Sequence, residues 1–250
     1  MKREEVLAGG NSNDVVKIGG TVHRTAGPWT PSVHRLLRTL RDHGITEVPE
    51  PLGFDDLGRE VVSYLPGAVA NYPLPDWLWS QEALADAARL LRKIHDAGTH
   101  LPPDGETWQL PAHTPAETIC HNDFAPYNMV FREGAPVGVI DFDTASPGPR
   151  IWDLAYLAYR MVPFVQDAGP GAPNHDEHLP RLDALLAAYG IDYPRHDVLE
   201  TMASRLDELA EFTDGRATAT GRDDFTQHAA MYRIDAARMR HLAREFHESH

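Results

Sequence analysis

Apolar residues alternate over short runs in residues 1–67, and from about residue 77 onward they recur at steps of three and four. The first spacing is that of half-buried strands, the second that of amphipathic helices. EEVLA, DVVKI and TVHRTA predict three short strands, the last two joined by Gly19-Gly20, a two-residue hairpin signal. Val33, Leu36, Leu37 and Leu40 then share one helical face, with Thr30 as the cap, Pro31 in the first position and Gly44 as the stop. PLGF and REVVSYL predict two more strands around the turn DDLG, and residues 65–75 read as a connection. Beyond it, Leu84, Ala87, Leu91 and Ile94 predict a helix over Trp77–Ala97, stopped by Gly98. NMVFR and PVGVID predict a hairpin around EGA, followed by a helix through PRIWDLAYLAYRM. Residues 163–176 hold three Pro and two Gly and read as a loop, and the pattern predicts helices over 178–189, 195–212 and 224–246. Strands first and helices afterwards predict an α+β chain in two lobes, residues 1–67 and 68–250.

Composition narrows the class. The chain has 250 residues, 42% hydrophobic and 24% charged, which is enough apolar material for a sizeable core. No apolar run reaches the length of a membrane span, and MKREEVLAGG lacks the apolar stretch of a signal peptide. Cys120 is the single cysteine, so no internal disulfide forms, and a cytoplasmic setting is expected. It adjoins His121, but neighbours on an extended chain point apart, which favours a buried thiol over a nucleophile. The net charge of −14 argues against a nucleic-acid partner. Residues 1–67 are nearly neutral, with eight Lys/Arg against nine Asp/Glu, whereas the remainder has fifteen against twenty-eight. An acidic second part attracts cations, either metal ions or polyamine-like substrates, or serves solubility alone.

Two short stretches carry the chemistry: HNDFAPYN, residues 121–128, and VIDFD, residues 139–143. Asp123 lies five residues before Asn128, and Asp141 follows eighteen residues after Asp123. Magnesium prefers carboxylate, amide and water oxygens, and Asn128 and Asp141 supply such a set. Asp123 remains to accept a proton from, or orient, a substrate hydroxyl. The predicted hairpin starts at Asn128 and ends at Asp141, so its two polar ends return to one edge.

This pair of motifs resembles the catalytic signature of the aminoglycoside phosphotransferase and choline kinase-like family, itself similar to protein kinases. GPRIWDLAY resembles the Gly-x-x-x-x-Asp-Leu-Ala segment that follows in that family, and the resemblance runs from residue 5 to about residue 165. It implies a two-lobed protein-kinase-like fold, with a small β-rich N-terminal lobe and a larger helical C-terminal lobe. It implies Asp123 as catalytic base and Asn128 and Asp141 as magnesium ligands, with His121 and Asp153 structural. Asp143 stays open between a metal or substrate contact and a solvated loop acid. The resemblance places a phosphate-covering loop at Gly9, Gly10, Asn11, Ser12 and Asn13. It places Arg24 where the family has a phosphate-binding lysine. The helix that normally holds that lysine through a glutamate has no glutamate here, and His34 falls near that place. Ser63 and Leu65 are expected to offer backbone groups to the base of ATP or GTP, with Val15, Val16, Val22, Val130 and Ile140 above and below it or simply in the core.

The implied reaction is transfer of the γ-phosphoryl of ATP or GTP to a hydroxyl of a small acceptor, aminoglycoside-like or choline-like. Acids between residues 207 and 224, among them Asp207, Asp214 and Asp224, would hold its cationic groups or form a solvated helix end, and aromatic rings such as Tyr156 and Phe212 would hold them or lie in the core. Two other classes stand beside it: a non-catalytic nucleotide- or drug-binding protein on the same fold, and a metal-dependent hydrolase using His121, Asp123 and Asp141.

Overall fold

The structure is a computed structural model that describes residues 4–7, 15–103, 105–166 and 168–247. The chain divides into two compact units, Met1–Ala70 with Arg92–Pro149, and Asn71–Leu91 with Arg150–His250.

The first unit contains a five-stranded antiparallel sheet. Its strands are β1 (Glu4–Val6), β2 (Val16–Ile18), β3 (Thr21–Arg24), β4 (Pro51–Phe54) and β5 (Glu60–Ser63), in the order β1-β2-β3-β5-β4. The Gly19-Gly20 turn sets Ile18 opposite Thr21, as the hairpin signal predicts. Helix α1 (Thr30–Asp42) buries Val33, Leu36, Leu37 and Leu40, each at most 2% exposed. Burying side chains of this size stabilises by about 1.5–3 kcal/mol each. Thr30 does not cap this helix. It is the first helical residue, Trp29 occupies the cap position, and the Thr30 Oγ1 accepts from the Gly27 N–H at 2.9 Å instead.

The same unit contains a three-stranded sheet and a strand pair. β6 (Ala68–Val69), β8 (Met129–Arg132) and β9 (Ala135–Val139) align in the order β6-β8-β9, while β7 (Thr118–Cys120) pairs with β10 (Ser146–Gly148). β8 and β9 meet at a two-residue turn in which Glu133 and Gly134 have φ of 52° and 82°, with Arg132 opposite Ala135. Left-handed backbone at both positions gives the tight hairpin geometry whose twist matches the strands.

The second unit is helical: α3 (Arg150–Met161), α4 (His175–Tyr189), α5 (Arg195–Thr220) and α6 (Asp223–His247), with α5 and α6 packed along one another and α3 on α5. Helix α2 (Gln81–Gly98) begins four residues later than its apolar pattern predicts. Asp76–Trp79 forms a 3₁₀ turn, and Ser80 caps α2 by accepting the Ala83 N–H at 3.1 Å. α4 begins three residues earlier than predicted, where the Glu177 carboxylate accepts the Asn174 N–H at 2.9 Å. α5 runs on to Thr220 and stops at Gly221, which takes φ 67°. Two buried charges brace this unit. Arg181 donates to the carbonyls of Trp79 and Met161 at 2.8 and 3.0 Å. Asp235 accepts from the Tyr159 hydroxyl at 2.8 Å and pairs with Arg238 at 3.0 Å. Among the described residues, no helix is long and apolar enough to cross a membrane.

Candidate active site

All three residues of the central constellation lie in the first unit, on the segments that flank β8 and β9. β7 ends at Cys120, and the chain turns sharply at Asn122, whose φ is 64°. Left-handed backbone is costly for residues with a Cβ, although Asn tolerates it best. Its side chain offsets the cost: Nδ2 donates to the Thr144 carbonyl and to the Ser146 hydroxyl, both at 2.8 Å. His121 supports the turn from below. Its Nε2 lies 2.9 Å from the Ile140 carbonyl and its Nδ1 lies 3.2 Å from the Asp123 N–H. A carbonyl only accepts and an amide N–H only donates, so the ring carries its proton on Nε2 and accepts at Nδ1. Such a ring is spent on the backbone, in keeping with a structural histidine.

Asp123 is gripped at both oxygens. Oδ1 accepts from the Tyr127 hydroxyl at 2.6 Å, and Oδ2 accepts from Asn128 Nδ2 at 2.8 Å. Asn128 Nδ2 also donates to the Asp123 carbonyl at 2.9 Å. Two acceptors around one terminal atom fix that atom as nitrogen, so the Asn128 carboxamide oxygen is turned away from Asp123. Main-chain pairing holds the far motif against it, with the Ile140 N–H donating to the Asn128 carbonyl at 2.9 Å. The next residue, Asp141, takes φ 65° and ψ 61°, and its side chain is 51% exposed.

Arg24, at the end of β3, joins three carboxylates. Nη1 donates to Asp141 Oδ1 and Nη2 to Asp143 Oδ1, each at 2.7 Å, while Nε donates to Glu60 Oε2. The other Glu60 oxygen lies 2.9 Å from His34 Nε2. Glu60 has no exposed surface. The electrostatics follow from burial and these partners. Burial works against a charged Arg24, but Asp143, Glu60 and Asp141 outweigh it and raise its pKa. Burial also disfavours a charged Glu60, yet His34 and Arg24 hold its carboxyl below the usual range. Asp143 goes the other way: burial, with Arg24 opposing and Asp141 and Glu60 reinforcing, pushes it up to about 6.

The structure thus joins Asp123 to Asn128 and Arg24 to Asp141, and hydrogen-bonds the Asn128 main chain to the residue before Asp141. Gly10, Asn11 and Ser12 lie outside the described residues, as do Gly9 and Asn13. Ser63 has its N–H on the Glu50 carbonyl at 2.9 Å, and its hydroxyl accepts the Glu50 N–H at 2.8 Å. Leu65 is half-buried, and its Cδ1 fills the space a side chain on Gly138 would need. In the second unit, three acids of the 207–224 segment are paired with arginines: Asp207 with Arg240, Asp214 with Arg233 and Asp224 with Arg222. Tyr156 and Tyr159 are buried, and Phe212 is half exposed. Sequence reasoning missed Tyr127 and Glu60. An acid inside the alternating strand REVVSYL was the available signal for Glu60, since a buried carboxylate demands a partner; nothing marked Tyr127.

Comparison with known proteins bears on the family and the fold. Residues 4–112 and 105–199 match the model of a phosphotransferase enzyme family. A relative from Rhizobium leguminosarum bv. trifolii, named trifolitoxin immunity protein, is 34% identical over 203 residues, covering 76% of each chain. A choline/ethanolamine kinase family protein from Mesorhizobium loti superposes with a TM-score of 0.66 at 19% identity, covering 95% of this chain and 87% of that one. Amicoumacin kinase, solved in complex with AMP-PNP and Ca2+, superposes with a TM-score of 0.67 at 13% identity, covering 93% and 87%. These likenesses give the kinase-like fold expected from the motifs, a small antiparallel β region followed by a larger helical part. The extent of the family match is decisive: the chain belongs to the phosphotransferase enzyme family, and it shares its fold with small-molecule kinases.

Proposed function

We propose that this protein moves the γ-phosphoryl of ATP or GTP to a hydroxyl of a small molecule. The observation that carries the reading is the grip on Asp123. Tyr127 and Asn128 each donate to one of its oxygens, so the carboxylate is fixed in direction and kept as an acceptor. A carboxylate held in this way orients an attacking hydroxyl and takes its proton.

The residues present also fit a hard divalent cation. Both N–H groups of the Asn128 amide are turned to Asp123, which leaves the side-chain oxygen to ligate a cation. Asp141 has one oxygen on Arg24 and a half-exposed carboxylate. Around Arg24, three carboxylates face one guanidinium, an excess of two negative charges when all are ionised. Asn128 and Asp141 would hold magnesium, which supplies charge neutralisation for the triphosphate. Arg24, released from Asp141, has the planar fork that suits phosphate oxygens. Reaction in the cytoplasm follows from the need for a nucleoside triphosphate and suits a chain with one buried thiol.

The acceptor is a cationic hydroxyl compound, aminoglycoside-like or choline-like, and the immunity relative adds toxins to the candidates. The test is nucleoside diphosphate release across a panel of amino-sugar, amino-alcohol and toxin acceptors. Asp123→Asn lowers turnover by about 10²–10⁴-fold; full turnover in that variant ends the proposal. A second reading is favoured by one observation, the occupation of Asp141 and Asp143 by Arg24. In it, the protein sequesters a toxin without chemistry. Calorimetry separates the two, because a sequestering protein binds no magnesium nucleotide at millimolar concentration.

A further inference from the structure

We infer that Glu60 and His34 are positioning residues that decide which edge of the Arg24 guanidinium meets a phosphate group; the inference rests on the kinase reading above. A guanidinium is planar and offers five N–H donors divided between its Nε side and its distal fork. In this protein the division is complete. Nε is given to Glu60, and Nη1 and Nη2 are given to Asp141 and Asp143. The anchor is part of the sheet: Arg24 and Glu60 are directly opposed in the β3–β5 register. Opposed residues on antiparallel strands share a face, so the contact needs no side-chain search.

Glu60 is itself held. It is fully buried, and His34 of α1, with a side chain 3% exposed, closes on its second oxygen at 2.9 Å. With both oxygens engaged, the carboxylate cannot turn, and neither can the arginine that it binds. The fork therefore points at the acidic pair, the place where an anionic ligand and its cation would arrive. This also accounts for arginine rather than lysine at position 24. A lysine would have to share one ammonium among these partners, whereas the guanidinium gives Nε to the anchor and keeps a planar fork for the ligand. An acid that merely tied α1 to the sheet would make the same bond to His34, but it would have no bearing on the affinity for phosphate.

The test is calorimetry of the full chain with magnesium AMP-PNP, supported by nucleotide KM and kcat. Glu60→Gln weakens binding by roughly tenfold or more, since the ion pair at Nε becomes a bond from the guanidinium to a neutral amide. Its KM rises more than its kcat falls. Arg24→Lys weakens binding at least as much, and the Glu60→Gln/Arg24→Lys double variant is no weaker than Arg24→Lys alone. His34→Leu weakens binding, and His34→Gln, which keeps an N–H for Glu60, restores most of it. The histidine pair stands in should Glu60→Gln fail to fold, as judged by circular dichroism and melting. If the wild type binds while Glu60→Gln and His34→Leu bind equally well, or if the Glu60 and Arg24 effects simply add, the inference is overturned. Absence of binding by the wild type overturns the kinase reading itself, and this inference falls with it.

Discussion

Replacing Asn128 by Asp tests the central feature of the site, because it separates two roles that one side chain fills. As a cation ligand, Asn128 would be served as well or better by a carboxylate, a harder and more strongly binding donor. As the clamp on Asp123, it would not. Asn128 Nδ2 sits 2.8 Å from Asp123 Oδ2 and 2.9 Å from the Asp123 carbonyl. In Asn128→Asp, an oxygen takes the place of that nitrogen, and a donor between two acceptors becomes a third acceptor. Two carboxylate charges roughly 3.5 Å apart repel by about 5 kcal/mol at an effective dielectric near 20. Asp123 is partly exposed, so solvent screening reduces this to about half. The lost hydrogen bond to a charged group adds about 1.5–3 kcal/mol. The expected cost is therefore about 4 kcal/mol at pH 7, against about 2 kcal/mol for Asn128→Ala, which loses the bond without adding repulsion. Urea denaturation of the metal-free protein at low and at high salt measures both. High salt recovers part of the Asp variant's loss and little of the Ala variant's. An Asn128→Asp protein as stable as the wild type that turns over acceptor at the wild-type rate would show that Asn128 does not clamp Asp123.

Tyr127→Phe removes the 2.6 Å bond to Asp123 Oδ1 and is expected to lower kcat by about tenfold while shifting stability by no more than about 1 kcal/mol; steady-state kinetics and a melting curve read the two effects separately. Asn122→Ala loses both side-chain bonds from the turn after β7 to Thr144 and Ser146 and keeps the left-handed backbone, so urea titration should show a loss of about 3 kcal/mol. Asn122→Gly should lose less, because glycine accepts that backbone freely. Acid stability depends on Glu60. Its folded pKa lies below the ordinary 4.5, so its contribution is present above that value and is lost as pH falls through the depressed one. Glu60→Gln should flatten the dependence of the urea midpoint on pH below about 4.5, and an unchanged slope would count against the buried pairing with Arg24 and His34.

How much was legible beforehand depended on whether a feature was local. The interval from Asp123 to Asp141 could be read because a hairpin with a Gly-containing turn lies between them, and the turn sets the register. The stripe Val33, Leu36, Leu37, Leu40 could be read because one helix face is enough to define it. Glu60 could not be assigned a partner, since its meeting with Arg24 depends on β3 pairing with β5 across an intervening helix. The missing helix glutamate was visible as an absence, but the strand acid that does hold Arg24 was not visible as its replacement. β7 and β10 escaped because three residues are too few for alternation to show. Element ends moved where a polar side chain took over a backbone group: Ser80 shortens α2, and Glu177 lengthens the start of α4. Tyr127 looked like any half-buried ring, because its value lies in where the hydroxyl ends up.

The Glu133-Gly134 turn carries a consequence for how this family of chains can diverge. It lies at the far end of the β8–β9 ladder from Asn128 and Asp141. Added residues at the tip would lengthen the hairpin outward and leave the opposite end undisturbed, so the number of residues separating the two motifs is free to drift in descendants. A single deletion inside β8 has no such freedom. It would turn every following side chain to the other face of the ribbon and part Asn128 from Ile140. Natural or laboratory variation in motif spacing should therefore concentrate at residues 133–134, and variants recovered with a shortened β8 should be inactive however well they fold.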